Sequence, residues 1–170
     1  QDACHIIDQA QQFAYHAVNE MLIKRNWLLG MRIQHEVLKE ERAEYGEQTI
    51  KKLAKVLTEK YGRGFKKSNL YSFVSFYQNH QDFFQPLTGK SLDMADDNIF
   101  QSLTGKSPIR LSWTHYSIIL QELTAEGRSW YEQEAANEMC STRTLQRNIS
   151  SQYYHRLLQS QDKAVVHNEM

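Results

Sequence analysis

Along most of this chain apolar residues recur at three- and four-residue spacing, and no segment alternates convincingly at period two. That pattern confines the fold to the mainly α class, a multi-helix domain in which each helix buries one face. Ile6, Ile7, Ala10, Phe13, Ala14, Ala17, Val18, Met21 and Leu22 predict an amphipathic helix over 3–23. Trp27, Leu28, Met31, Ile33 and Val37 continue it with a shift of face near Arg25 and Asn26, as a kinked continuation or a new helix. Gly30 inside that run marks close helix packing, because a mid-helix Gly costs roughly 1 kcal/mol relative to Ala. A third helix is expected over 48–61, with Ile50, Leu53, Ala54, Val56 and Leu57 inward and lysines outward. Gly62-Arg63-Gly64 ends it, since Gly readily takes the left-handed conformation of a helix C-terminus. A fourth helix follows Phe65, with Ser68 as its N-cap and Leu70, Phe73, Val74 and Tyr77 on one face.

Between 81 and 110 the periodicity stops. Both prolines fall here, with an acidic run at Asp93, Asp96 and Asp97. Leu87-Thr88-Gly89-Lys90-Ser91 recurs as Leu103-Thr104-Gly105-Lys106-Ser107. The Gly-Lys-Ser ending resembles the close of a phosphate-binding loop, but the upstream Gly and the preceding apolar strand are missing. The segment therefore reads as a duplicated surface loop, with room for two short strands or a wing. Helical spacing resumes at Ser112 or Thr114 as cap, with Ile118, Ile119, Leu120 and Leu123 inward and Gly127 as a break.

Residues 128–160 then read as a helix, a tight turn and a second helix capped by Ser141 and extending to about Ser160. Ala135 and Ala136 permit close approach, and Cys140 and Leu145 sit where a helix-turn-helix buries its contacts. Met139 occupies the turn position where such motifs often carry Gly. The outer face would offer Ser141, Thr142, Arg143, Gln146 and Arg147, side-chain types that reach phosphates and base edges. A second pair of this kind spans 48–79, and Lys66, Lys67 and Asn69 at the start of its second helix suit phosphate contacts. The competing reading of both stretches is a helical hairpin with a solvated polar face.

Charge alone does not argue for nucleic acid, because 20 Lys and Arg balance 20 Asp and Glu. The distribution is uneven, however. Lys51, Lys52, Lys55, Lys60, Arg63, Lys66 and Lys67 are interrupted only by Glu59, and follow an acidic segment at Glu36, Glu40, Glu41, Glu44 and Glu47. Two distant cysteines, Cys4 and Cys140, suggest reduced thiols in a cytoplasmic protein. No apolar run reaches membrane-span length. The seven histidines are scattered without ligand spacing, and His115, between Trp113 and Tyr116, is more often a hydrogen-bonded structural residue than a base. No convergent acids for Mg²⁺ are apparent, so no cofactor and no catalytic set are expected in these residues.

Several motifs occur together in one order: Arg42-Ala43-Glu44-Tyr45-Gly46, Gly62-Arg63-Gly64-Phe65 with Ser68-Asn69-Leu70, Phe76-Tyr77, Leu111 to Tyr116, and Ser141 to Arg147 with Tyr154-His155-Arg156. In these the chain resembles the N-terminal domain of YhcG-like bacterial proteins, from about residue 5 to 163. The resemblance implies a helix-turn-helix-like domain, here 1–163, followed by a linker from 164 and then a PD-(D/E)XK nuclease domain absent from these residues. A divalent metal such as Mg²⁺ would belong to that absent domain. The segment from Pro86 to Ser107 is longer than the family pattern. Two functions follow from this reading. The chain is a DNA-targeting module contacting DNA through Lys66, Lys67, Asn69, His115, Ser141, Thr142, Arg143, Gln146 and Arg147. Alternatively it is a protein-interaction or homodimerising module in which Arg143 and Arg147 pair with acids such as Glu134 and Glu138.

Overall fold

The computed structural model describes residues 2–36, 43–81, 83–86, 103–105 and 110–160. The chain divides into two compact units, Gln1–Ile109 and Arg110–Met170. Helices dominate both.

The first unit contains α1 (Asp2–Glu36), α2 (Ala43–Tyr61) and α3 (Lys67–Asn79), with a short 3-10 turn at Arg63–Phe65. α1 is one unbroken helix, so the shift of face near Arg25 marks where packing begins along a single rod. Its second half lies against α3 and buries Ile23, Asn26, Trp27, Leu28 and Ile33. The facing surface is Leu70, Phe73, Val74, Phe76 and Tyr77. Trp27 sits at the centre, edge-on to Tyr77 and Phe84 at ring separations of 5.2 and 5.6 Å. Its indole N–H donates to the His80 carbonyl at 2.7 Å. Ile50 and Ala54 of α2 complete the buried layer.

α2 ends at Gly62, whose φ of 94° lies in the left-handed region the sequence assigned to it. α3 begins two residues earlier than expected. Its N-cap is Lys66, whose side chain makes no capping bond, rather than Ser68. Strands β1 (Phe84–Pro86) and β2 (Leu103–Gly105) pair antiparallel, Phe84 opposite Gly105 and Pro86 opposite Leu103. The second copy of the duplicated motif thus opens in β2. The first copy and the acidic run lie outside the described residues.

The second unit contains α4 (Trp113–Ile119), α5 (Ala125–Asn137), α6 (Thr142–Ser150) and α7 (Tyr153–Gln159). Its core is Leu111, Tyr116, Ile118, Ile119, Tyr131, Ala135, Leu145, Ile149 and Tyr153. Ser112 caps α4, accepting the His115 N–H. Two sequence-based boundaries fail here. α4 stops at Ile119, so Leu123 is 92% exposed instead of inward. Gly127 does not break a helix: it lies in the first turn of α5 and donates its N–H to the Thr124 hydroxyl, the N-cap. The last helix is also two helices, separated at Ser151 and Gln152.

Gly30 is the tightest point between α1 and α3. A Cβ there would run into the Phe73 carbonyl and stand 3.0 Å from the Tyr77 Cβ. Backbone cannot yield as a side-chain tip does, so Gly30→Ala should destabilise the first unit by about 1–3 kcal/mol or more despite its better helix propensity. Urea denaturation of the two proteins measures the difference.

Candidate nucleic-acid interface

α5 and α6 are joined by Glu138, Met139, Cys140 and Ser141. Met139 has φ 48°, a left-handed conformation at the position where the sequence lacks Gly. The turn closes with two backbone bonds, Glu138 N–H to the Glu134 carbonyl at 2.9 Å and Cys140 N–H to the Ala135 carbonyl at 3.2 Å. Ser141 then starts α6, its hydroxyl accepting the Thr144 N–H at 3.1 Å.

α6 is amphipathic. Leu145, Asn148 and Ile149 are buried, and the helix packs against α4. Tyr131 of α5 fixes its far end: the hydroxyl donates to the Asn148 carbonyl at 3.2 Å and accepts the Tyr154 N–H at 3.0 Å. One phenol thereby holds the end of α6 and supplies an acceptor to the first turn of α7. Burial pushes that phenol's pKa up, which keeps the donor proton in place.

The opposite face of α6 presents Ser141, Arg143 and Arg147 exposed, with Thr142 and Gln146 half-buried. Among the described residues no carboxylate lies within ion-pair distance of Arg143 or Arg147. The internal pairs with Glu134 and Glu138 that a purely structural role would need are not formed. Gln146 is tethered, donating to Gln121 Oε1 at 3.1 Å and to Ser150 Oγ at 3.3 Å.

His115 has a structural role in this unit. A carbonyl only accepts, so Nε2 carries the proton donated to Cys140 O at 2.9 Å, and Nδ1 faces the Ser112 hydroxyl at 2.7 Å. Both ring nitrogens are engaged, and the ring links the start of α4 to the turn before α6. The expected phosphate contact from His115 gives way to that role. Burial, then the nearby Glu134 and Glu138 carboxylates, push the Cys140 thiol's pKa up, which favours the neutral thiol over the thiolate.

The lysine cluster belongs to the other unit. Lys66 is exposed at the N-terminus of α3. Lys67 is held by Glu47 at 2.7 Å, and the same carboxylate takes Lys51 at 3.2 Å. Asn69 donates to the Gly64 carbonyl at 3.0 Å, closing the turn before α3. Of the three residues expected to meet phosphate, Lys66 alone has no such internal partner among the described residues.

One buried carboxylate escaped the sequence reading. Glu122 Oε1 accepts from Thr124 N–H at 3.0 Å, Thr124 O–H at 2.9 Å and His155 Nε2 at 3.1 Å. It clamps the α4–α5 connection to α7. Burial alone would raise its pKa, but the two Thr124 bonds and His155 together outweigh that and hold it below the usual carboxylate range. Among the described residues no three His, Cys, Asp or Glu side chains converge as a metal site. None of their helices is long and apolar enough to cross a membrane.

These helices carry the expected motifs in the expected order, and residues 2–156 match the DUF1016 N-terminal domain. The chain belongs to that family. A protein of Escherichia coli strain K12 named "Putative nuclease YhcG" is 33% identical over 175 residues, covering 95% of this chain and 46% of that protein. The chain is therefore a YhcG-like N-terminal domain spanning about half the length of this relative. No solved structure matches it.

Two outcomes are expected of this unit. Met139→Gly should stabilise it by up to about 1 kcal/mol in thermal melts, because a left-handed φ strains any residue with a Cβ and the Met139 side chain is 88% exposed. Glu122→Gln should destabilise it by about 1–3 kcal/mol at neutral pH. A carboxylate with a depressed folded-state pKa stabilises above its unfolded pKa of about 4.3, and that contribution is lost as pH falls through the lower folded value. Urea melts between pH 7 and 3 should therefore show the gap between the two proteins narrowing below about pH 4.

Proposed function

We propose that this chain is the DNA-binding, targeting domain of a PD-(D/E)XK nuclease-family protein and is non-catalytic by itself. The observation that carries the proposal is the free outer face of α6. Arg143 and Arg147 stand one turn apart and exposed on a helix whose other face is locked to α4 and Tyr131. A left-handed turn into a short capped helix is the local geometry of a helix-turn-helix, which lays its second helix in the major groove. In this reading Arg143 and Arg147 meet phosphates or guanine edges, with Thr142 and Ser141 beside them at the helix start. Lys66, exposed at the start of α3 in the first unit, is a separate candidate for phosphate. Lys67, Asn69 and His115 support the fold and make no direct contact. The phosphodiester chemistry is assigned to the PD-(D/E)XK nuclease domain that the family resemblance implies outside these residues; the Escherichia coli relative is named a putative nuclease. A second reading, an interaction module, is favoured by the apolar surface of α1 described below.

Titrating a fluorescent duplex tests the first reading. If the complex neutralises about five phosphates, log K should fall against log salt with a slope near −4.5. Arg143→Glu with Arg147→Glu should abolish binding at low salt while leaving the melting temperature within a few degrees, since neither guanidinium holds a carboxylate. Lys66→Glu should reduce the slope by about one. Unchanged affinity in the double variant would refute the proposal.

A further inference from the structure

Among the described residues, none packs on the apolar side chains of the first half of α1. Every residue from Asp2 to Val18 is exposed, whereas the packing on α3 begins near Ile23. A lone helix of this length is marginal in water, because helices in proteins gain most of their stability by burying an apolar face. Such a face is present: Phe13 is 80% exposed, Ile6 65% and Val18 61%. At its C-terminal end Ala17, Val18, Met21, Leu22 and Arg25 line a groove of about 410 Å³.

We infer that this face pairs with the same face of a second copy of the chain, the two helices running antiparallel. Ala3, Ile7, Ala10, Ala14, Ala17 and Met21 follow alternating four- and three-residue steps, the spacing of a helix-pairing seam. Pairing centred between Ala10 and Ala14 sets Ile7 against Ala17 of the second copy and Met21 against Ala3, with Ala10 on Ala14 at the centre. Each large side chain then meets a small one, so the layers interdigitate. Phe13, beside the seam, meets its own counterpart across the two-fold axis. The groove receives Ile7 of the second copy. Lys24 is already paired with Glu20 and Arg25 with Asn26 of the same helix, so the direction rests on the alternation of large and small side chains along the seam. A parallel pair would instead stack Ile7 on Ile7 and set Asp2, Asp8 and Glu20 against their own copies. Ile6, Ile7, Phe13, Val18 and Met21 are the exposed large apolar side chains on or beside this seam, whereas Tyr15 and Leu22 lie on other faces of the helix.

Val18→Cys tests the pairing together with the native Cys4, which is exposed. In the antiparallel register residue 18 of one copy lies beside Cys4 of the other. Along one helix the two positions are about 21 Å apart, beyond the reach of a disulfide. Mild oxidation of the full-length protein, and of these 170 residues, should give a covalent dimer. Its digest should contain the Cys4 peptide joined by a disulfide to the peptide that carries the Val18→Cys substitution. Sedimentation of the uncrosslinked wild type at micromolar concentration should give a dimer. Ala14→Glu should give a monomer with an unchanged circular dichroism spectrum in the folded core. A monomeric full-length wild type, a dimer indifferent to Ala14→Glu, or a crosslink between the two Cys4 residues would each overturn the inference. Dimerisation of the 170 residues but not of the full-length protein would likewise reject it, by assigning the face to the rest of the longer chain. No DNA is present in these measurements, so their outcome is independent of the role of α6.

Discussion

The hydroxyl of Tyr131 sets the geometry of the second unit. It lies in the core of α5, yet its single oxygen donates to the last turn of α6 and accepts from the first turn of α7. A Phe in that place would leave the part-buried Tyr154 N–H without its acceptor, and the Asn148 carbonyl with only the Ser151 hydroxyl, a loss that costs more than the bonds themselves contribute. Because α6 is held from behind at this point, its outer side chains are carried on a fixed helix. The buried Glu122 completes the restraint by fastening α7 to the α4–α5 connection through His155 and Thr124.

The division of labour among polar residues follows from where their partners lie. Arg143 and Arg147 extend from a short helix into solvent. His115, Asn69 and Lys67 look equally suitable as linear sequence, but each meets a group that only folding brings near. For His115 it is the Cys140 carbonyl, for Asn69 the Gly64 carbonyl and for Lys67 the Glu47 carboxylate. A polar side chain in a compact unit bonds internally wherever a partner is in reach, because an unpaired buried group is costly. The arginines of α6 have no such partner among the described residues, which is what marks them out.

Helix existence was legible because period and burial agree: Leu70, Phe73, Val74 and Tyr77 are buried as their spacing implied, and so are Ile118 and Ile119. Gly30 and Gly62 also behave as their chemistry dictates. The boundaries were less legible, and for identifiable reasons. Gln152 takes a left-handed φ of 52° without Gly or Pro to announce it, two residues before the Tyr154 N–H that the Tyr131 hydroxyl accepts. α4 ends early because Glu122 and Thr124 build the start of α5, an arrangement that leaves no apolar trace. The candidate site was readable as a set of exposed arginines. Which of its neighbours serve the fold depends on contacts 5 to 25 residues away in sequence.

The break at Gln152 limits how much any ligand can be read by α6. Nine residues rising about 1.5 Å each extend only some 13 Å, the length of roughly four base pairs. A helix that short touches few groups of any ligand, so recognition through α6 would gain selectivity only by repetition or by sensing the contour of what it meets.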